Sequence, residues 1–194
     1  MNKIITIGRE FGSGGRTIAK MAAERLGIPC YDNDLLLKIA EESGFDKNFV
    51  AEKGENSSLS SVIAQGLSGW NGYGNMNAED YLWQAQRKVI LELAKQEPCI
   101  IVGRCADYIL KDRADCLRVF IYADMDKRAE RIVSVYGESK ESPEKRLKNK
   151  DKRRSAFYYY HTDMEWGNVH NYHICLDSGL LGFDKCIDII CSLY

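Results

Sequence analysis

The 194-residue sequence contains no apolar run long enough to span a membrane, and it carries almost no net charge. A formal charge of −1 lacks the basic excess of nucleic-acid-binding domains, so no nucleic-acid partner is expected. The first ten residues, MNKIITIGRE, become charged after a short apolar run, unlike a secretory signal. They are therefore predicted to form a strand of a cytoplasmic protein without a membrane partner.

Zinc-binding and disulfide spacings are also missing. The seven cysteines are odd in number and no two are spaced as CxxC, which argues against a zinc site or a disulfide framework. The three histidines likewise lack the spacing of metal ligands. Most cysteines lie in apolar stretches, where a thiol packs as a small hydrophobic group. Cys105 stands apart because of its neighbours, Gly103 and Arg104.

The composition is that of a folded globular chain, with 45% hydrophobic and 28% charged residues. Its length suits one sizeable domain better than two. Neither an internal repeat nor a linker divides it, so residues 1–194 are predicted to form a single domain. Whether that domain is a monomer or a homodimer stays open.

Short apolar runs alternate with helical patterns along the chain. The runs predicted as strands are residues 4–7, 29–31, 99–102, 117–122 and 172–176. The segments predicted as helices are residues 17–26, 35–42, 80–95, 126–136, 143–160 and 183–193. Apolar strands without polar alternation are buried on both faces, and their alternation with helices indicates βαβ units. The predicted fold class is α/β, with a mostly parallel, doubly wound sheet of five strands.

Two segments interrupt this alternation. Residues 54–77 are rich in Gly, Ser and Asn, which predicts a mobile loop or a partly helical insertion. Residues 138–154 carry eight lysines and arginines, a pattern that is most often a solvated helix face. The aromatic residues that follow, Tyr158 to Tyr160 and Trp166, are predicted to pack rather than to stack on a base.

The strongest signal for chemistry is IITIGREFGSGGRTIAK at residues 4–20, which predicts a strand, a glycine-rich turn and a helix. Gly12, Gly14 and Gly15 let backbone N–H groups approach an anion closely. The helix that follows directs the positive end of its dipole at the same point. The turn is therefore predicted to hold phosphate groups, and the alternative is a turn that only packs strand against helix.

This turn departs from the GxxxxGK[ST] pattern of phosphate-binding loops. The lysine is missing however the pattern is aligned, and Arg16 is the nearest substitute, with a planar fork in place of a point charge. Thr17 is predicted either to cap the helix or to hold a magnesium ion through its hydroxyl.

Four blocks of the chain resemble the cytidylate kinase-like family, which carries GSGGR where bacterial cytidylate kinases carry GSGK. They are ITIGREFGSGGRTIAKMAAERLGIPCYDNDLL at residues 5–36, IIVGRCADYIL at 100–110, KDKRRSAFYYYHTDMEWG at 150–167 and NYHICLDSGLLGFDKCIDII at 171–190. Their order and spacing match over nearly the whole chain, most weakly across residues 45–78. The resemblance implies a three-layer P-loop NTPase-like fold with a helical acceptor insertion at about 45–80 and a basic lid at about 138–156.

The resemblance also implies ATP as phosphate donor, with Mg²⁺ bridging its phosphates. The residues expected to hold this donor are Gly12, Ser13, Gly14, Gly15, Arg16, Thr17, Arg128 and Arg131. Thr17 is the expected metal ligand, and Arg16 is expected to act in catalysis as well.

A small phosphate acceptor is expected at Asp32, Gly103 and Arg104. Without the family resemblance, Asp32 equally suits the N-cap of the helix predicted at 35–42, and Arg104 suits a surface ion pair. Cys105 stands where the family's bacterial kinases have an aspartate.

Transfer itself is expected to involve Arg153 and Arg154 of the lid, with Asp151 orienting them or contacting the acceptor. The resulting expectation is an ATP-dependent kinase for a nucleoside monophosphate or a similar small acceptor. The alternatives are a nucleotide-binding regulator or sensor without turnover, a kinase with a different acceptor, and a nucleic-acid-binding role resting on residues 145–154 alone.

Overall fold

The computed structural model describes residues 3–32 and 78–194, and for residues 78–82 it describes the backbone only. The helix predicted at 35–42 and the insertion predicted at 54–77 lie outside the described residues.

Five parallel strands form the sheet. They are β1 (Ile4–Arg9), β2 (Cys30–Tyr31), β3 (Cys99–Val102), β4 (Cys116–Tyr122) and β5 (Ile174–Asp177), in the order β2-β3-β1-β4-β5. Every pairing between them is parallel, including β1 with both β3 and β4 at the centre. The predicted α/β class with a five-stranded parallel sheet is confirmed.

Helices cover both faces of this sheet. They are α1 (Gly15–Leu26), α2 (Ala78–Gln96), α3 (Ala106–Ile109), α4 (Met125–Tyr136), α5 (Pro143–Thr162) and α6 (Ser178–Ser192), with a 3₁₀ turn at Val169–Asn171. Successive strand residues point to opposite faces. Accordingly Ile4 packs in a core cluster with α2, whereas Ile5 packs in a second cluster with α1 and α6. The protein therefore has the predicted three layers.

Two element boundaries and one unpredicted helix differ from the sequence prediction for identifiable local reasons, and most other boundaries shift by one or two residues. The fifth strand begins at Ile174 because the preceding residues form the 3₁₀ turn. Helix α6 begins at Ser178 because the Asp177 carboxylate accepts hydrogen bonds from the N–H groups of residues 179 and 180. The helix then kinks at Gly182, whose φ of 74° is not helical. Helix α3 is only four residues long, too short for a helical period to be recognised in the sequence.

The carboxyl ends of β1, β3 and β4 meet at one edge of the sheet. In open α/β sheets this is the edge at which ligands bind. Within the described residues, none of the helices has both the length and the apolar character needed to cross a membrane.

Candidate active site

The loop between β1 and α1 is held in one conformation by its glycines and by buried hydrogen bonds. Gly12 and Gly14 have positive φ angles of 84° and 78°, and a Cβ atom on Gly14 would overlap the Phe183 ring. Ser13 is buried, its hydroxyl donates to the Glu10 carbonyl at 3.0 Å, and its own carbonyl accepts from Ser178 Oγ at 2.6 Å. The loop is thus preformed and runs directly into the N-terminus of α1, as a phosphate-holding loop requires.

Gly15 occupies the position at which this strand–loop–helix frame would place a lysine. A Cβ atom there would lie 2.6 Å from Arg9 Cβ and 3.2 Å from Ile121 Cβ. No side chain fits at this position without a shift of β1 or β4, so a cation for the loop has to come from another residue.

Arg16, the predicted substitute, forms an ion pair with Asp32 at the end of β2. Arg9 Nη2 lies 3.9 Å from the other carboxylate oxygen of Asp32. Asp32 therefore joins two arginines, and it would compete with a phosphate for Arg16. Its predicted contact with an acceptor stays a prediction.

Thr17 and Arg131 meet at the first turn of α1. Arg131 Nη2 donates to Thr17 Oγ1 at 3.0 Å, and the Arg131 guanidinium lies 4.7 Å from the centre of the Phe183 ring. The two residues predicted to contact donor phosphates and metal thus lie together, with the cation already oriented at the loop.

Arg128 is buried in a network that joins α4, α5 and the loop. Its Nη1 donates to Asp151 Oδ2 at 2.6 Å, and its Nε lies 3.4 Å from Glu10 Oε2. Asp151 Oδ1 in turn accepts from the Phe11 backbone N–H at 2.7 Å. Arg128 Nη1 also donates to the Phe11 carbonyl at 3.3 Å. Arg128 thus contacts two carboxylates and the loop backbone, and its predicted contact with donor phosphates stays a prediction.

Glu10 is not among the predicted site residues, although it stands in the loop. Burial raises the pKa of its carboxyl above the ordinary 4.5, while the Ala123 N–H at 3.1 Å and Arg128 oppose that rise. The sequence offers one signal for Glu10. It is a carboxylate inside a turn predicted to bind anions, and such a carboxylate needs hydrogen-bond or charge partners of its own.

Arg154 extends from α5, the helix of the predicted lid, to the end of β1. Its Nη1 donates to the Arg9 carbonyl at 3.2 Å and lies 3.9 Å from Asp151 Oδ1. Its guanidinium is 5.6 Å from the centre of the Phe11 ring. Asp151 is thus beside Arg154, as its predicted orienting role requires, and Arg153 is exposed next to it.

Three consecutive residues after β3 have positive φ angles: Gly103 at 74°, Arg104 at 57° and Cys105 at 53°. For residues other than glycine such conformations cost about 1–3 kcal/mol each and cluster at functional sites. A Cβ atom on Gly103 would overlap the Arg9 guanidinium, so glycine is required there. Gln86 Nε2 holds the turn by donating to the Arg104 carbonyl at 2.8 Å.

Gln86 is another site residue that was not predicted. It is 4% exposed and lies on the same buried stripe of α2 as Val89, Ile90 and Leu93. The available signal is a single polar side chain on an apolar helix face, which has to find a buried partner.

A cleft opens between the Gly103–Cys105 turn, the end of β1 and the lid helix. The residues that line it are Gly8, Arg9, Gly103, Arg104, Cys105, Asp107, Arg153, Arg154, Phe157, Tyr158, Trp166 and Tyr172. Cys105, Asp107, Tyr158 and Tyr172 are buried and form its inner wall. The cleft thus combines four arginines with a polar and aromatic inner end.

The aromatic cluster divides between packing and the cleft. Tyr158 is buried, and its hydroxyl donates to Asp107 Oδ2 at 2.7 Å. Trp166 packs edge-on against Phe120 and also lines the cleft. Tyr159 and Tyr160 are exposed instead, so the prediction that all four aromatic residues pack is wrong for these two. They lie on the outward face of α5.

Asp107 is expected to make the stability of the protein depend on pH. Burial raises the pKa of its carboxyl above the ordinary 3.8, with the Tyr158 hydrogen bond opposing that rise. The folded state therefore binds this proton more tightly than the unfolded state. The contribution of Asp107 to the free energy of unfolding therefore increases as the pH falls through its raised pKa in the folded state. It levels off below the pKa that Asp107 has in the unfolded state.

The Asp107→Asn variant cannot titrate at this position. Lowering the pH from about 7 to about 4 should therefore decrease the free energy of unfolding of the variant relative to that of the native protein, so the variant becomes comparatively less stable. Urea unfolding of both proteins across that range measures the difference, with exposed Asp112→Asn as the matched control. A difference that is constant with pH would show that Asp107 is not held in its neutral form by burial.

The parallel sheet, the glycine-rich loop and the arginine-lined cleft define a P-loop NTPase-like protein. The model of the Cytidylate kinase-like family matches residues 4–180, and the chain belongs to that family. All predicted site residues among the described ones lie at one sheet edge, on the loop, the β2 and β3 ends, α4 and α5.

Two curated relatives are cytidylate kinases. One, from Archaeoglobus fulgidus, is 28% identical over 96% of this chain and 91% of its own length. The other, from Methanopyrus kandleri, is 23% identical over 96% of this chain and 90% of its own length.

Solved structures share the fold. An uncharacterized protein from Eubacterium ventriosum is 28% identical, has a TM-score of 0.73 and aligns over 98% of this chain and 96% of its own. A shikimate kinase from Acinetobacter baumannii, in complex with shikimate, is 18% identical with a TM-score of 0.54, over 98% of this chain and 90% of its own. At that identity the second likeness concerns the fold alone.

Proposed function

We propose that the protein is an ATP-dependent phosphotransferase whose acceptor is a nucleoside monophosphate, cytidylate-like, or a similarly small phosphate-bearing molecule. The observation that carries the proposal is the cleft in which Arg9, Arg104, Arg153 and Arg154 converge beside the glycine-rich loop. Membership of the cytidylate kinase-like family and the names of its two curated relatives support it.

The donor phosphates would lie against the loop at residues 12–17. The backbone N–H groups there and the N-terminus of α1 suit an anion, and Arg131 adds a cation at the same turn. Arg16 can contribute by leaving Asp32 for a phosphate oxygen. Thr17 Oγ1 is the candidate magnesium ligand, and it becomes available when Arg131 turns from this hydroxyl to a phosphate. Bound Mg²⁺ would neutralise charge on the donor phosphates.

The acceptor would lie in the cleft, with its phosphate on the arginines. Arg104 extends from a backbone turn that Gly103 makes possible and that Gln86 holds. A guanidinium can bind a phosphate through two parallel hydrogen bonds, which fixes orientation as well as charge. Asp32, between Arg9 and Arg16, positions two of the cations at the boundary between donor loop and cleft.

Transfer requires the two phosphates to be brought together and the charge of the moving phosphoryl group to be stabilised. Arg153 and Arg154 of the lid helix stand where the loop and the cleft adjoin. Asp151 keeps Arg154 beside the end of β1. The chain's own residues therefore position and neutralise, and no covalent intermediate on the protein is needed.

The test is phosphoryl transfer from Mg²⁺-ATP to CMP, dCMP, UMP and AMP, measured as nucleoside diphosphate formed. One acceptor is expected to turn over, and Arg104→Ala should lower its kcat/KM by about 100-fold. Arg87→Ala removes an exposed arginine of α2 and serves as the matched control, with no change expected.

ATP binding without transfer to any of these acceptors, or to a wider panel of small phosphate-bearing molecules, would contradict the proposal. It would favour a nucleotide-binding regulator or sensor, an alternative consistent with the glycine at the lysine position.

A further inference from the structure

The Tyr172 hydroxyl is an unpaired polar group at the inner end of the cleft. The residue is 7% exposed and lines the cleft, yet its Oη atom has no hydrogen-bond partner among the described residues. Buried hydroxyls are normally paired, because desolvation without a hydrogen bond is costly. The exception calls for an explanation, and a ligand that supplies the missing partner is one.

The ring of Tyr172 packs among aromatic neighbours. It packs on Phe120 with the ring centres 4.8 Å apart, and Phe120 packs edge-on against Trp166. Gly8 leaves room for it, since a Cβ atom there would lie 3.3 Å from Tyr172 Oη and 2.8 Å from the Phe120 ring. Packing therefore sets the position of the ring, and with it the hydroxyl oxygen, before any ligand arrives.

The neighbouring tyrosine shows the opposite arrangement. Tyr158, also buried in the inner wall, donates its proton to Asp107. Burial, together with the nearby Asp107, raises the pKa of the Tyr172 hydroxyl above its ordinary value, and the Gly167 N–H opposes that rise. That N–H points at the hydroxyl oxygen and offers no acceptor for its proton. Tyr172 thus keeps its proton at neutral pH and can act as a donor, whereas the donor of Tyr158 is already used.

We propose that Tyr172 determines acceptor specificity by donating a hydrogen bond to a carbonyl oxygen or ring nitrogen at the uncharged end of the acceptor. The proposal rests on the proposed function and adds the chemistry of the acceptor's other end. The ligand has an anionic group, bound by the arginines, and a neutral hydrogen-bond acceptor at the inner wall. The aromatic rings of Phe157 and Trp166 suit a planar body between these two ends.

The Tyr172→Phe variant separates this role from a structural one. If the hydroxyl is unpaired without ligand, its removal should raise the melting temperature of the ligand-free protein by about 2–5 °C. The same variant should lower kcat/KM for the best acceptor by roughly tenfold and leave KM for ATP unchanged. Tyr158→Phe should instead lower the melting temperature, because it removes the partner of a buried carboxyl. Tyr159→Phe, at an exposed position, should change neither quantity.

A Tyr172→Phe protein that melts lower than the native protein would overturn the proposal, as would an unchanged kcat/KM in a protein that turns over. The failure of the proposed function has a different signature, namely no transfer by the native protein to any acceptor tested. In that case the ligand-free melting temperature decides alone: a rise supports an unpaired, ligand-directed hydroxyl, and a fall shows an ordinary structural one. The rise in melting temperature on adding CMP, compared between the two proteins, gives a further readout that does not require turnover.

Discussion

Replacing Arg154 with alanine is expected to lower the rate of phosphoryl transfer by about a thousandfold, the low end of the effect of a transition-state arginine. Its guanidinium contacts the end of β1, with Nη1 on the Arg9 carbonyl. Only 17% of its side chain is exposed, so its charge acts in a partly desolvated site where electrostatic stabilisation is strong.

The Arg154→Lys variant tests whether geometry or charge is required. Lysine keeps the charge but lacks the planar fork. The kcat of Arg154→Lys should therefore be about tenfold above that of Arg154→Ala and still about 100-fold below that of the native protein. Because the interaction is made mainly during transfer, kcat should fall and KM for ATP should change little. Lys152→Ala, an exposed position on the same helix, is the matched control.

A Lys152→Ala effect as large as that of Arg154→Ala would mean that the lid acts through its overall charge. An Arg154→Ala protein with normal kcat would remove Arg154 from the transfer step altogether. Thermal unfolding of each variant separates either result from a loss of folded protein, since Arg154 also contacts the backbone of Arg9.

The strands and the glycine-rich turn were predicted because each depends on the residue pattern of one short segment. Each strand is a short apolar run, and the strand–glycine–helix sequence at residues 4–20 specifies its own turn. The arginine after β3 was predictable because the carboxyl end of a central parallel strand is where ligands bind. These inferences need only the order of residue types along one segment.

The contacts that hold the site together join distant segments, and local pattern did not predict them. Phe11 and Asp151 are 140 residues apart, and the bond between them shows only once α5 is packed over the loop. Gly103 has to be glycine because of Arg9, and Tyr172 is an unpaired donor only because the fold buries it. The order of residue types along one segment shows none of these contacts.

The contacts of Asp151 give the second large prediction, a loss of stability. One carboxylate accepts from the Phe11 N–H at 2.7 Å and from Arg128 Nη1 at 2.6 Å. Asp151→Asn should lower the free energy of unfolding by about 3 kcal/mol, because it removes the nearer of the two carboxylates that compensate the buried charge of Arg128 and leaves Glu10, 3.4 Å from Arg128 Nε. The side chain of Arg128 is 7% exposed, so water cannot replace the lost carboxylate oxygen.

The amide group of asparagine sharpens this expectation. Its oxygen can accept from either Phe11 or Arg128, and its NH₂ group then faces the other donor. Thermal unfolding should show a fall of about 10 °C for a chain of this size, against no measurable change for the exposed Asp112→Asn. An Asp151→Asn protein as stable as Asp112→Asn would show that this network is not formed in solution.

A double-mutant cycle shows whether the loss arises from the pair itself. Arg128→Met removes the charge that Asp151 compensates, so the two substitutions together should cost less than the sum of their separate effects. The remaining cost comes from the Phe11 N–H. It has no acceptor when the asparagine at position 151 presents its NH₂ group to the loop. Since that N–H is in the phosphate loop and Asp151 is on the lid helix, Asp151→Asn should also raise KM for ATP. Arg128→Met alone should leave the bond from Asp151 to the loop in place and raise KM for ATP less.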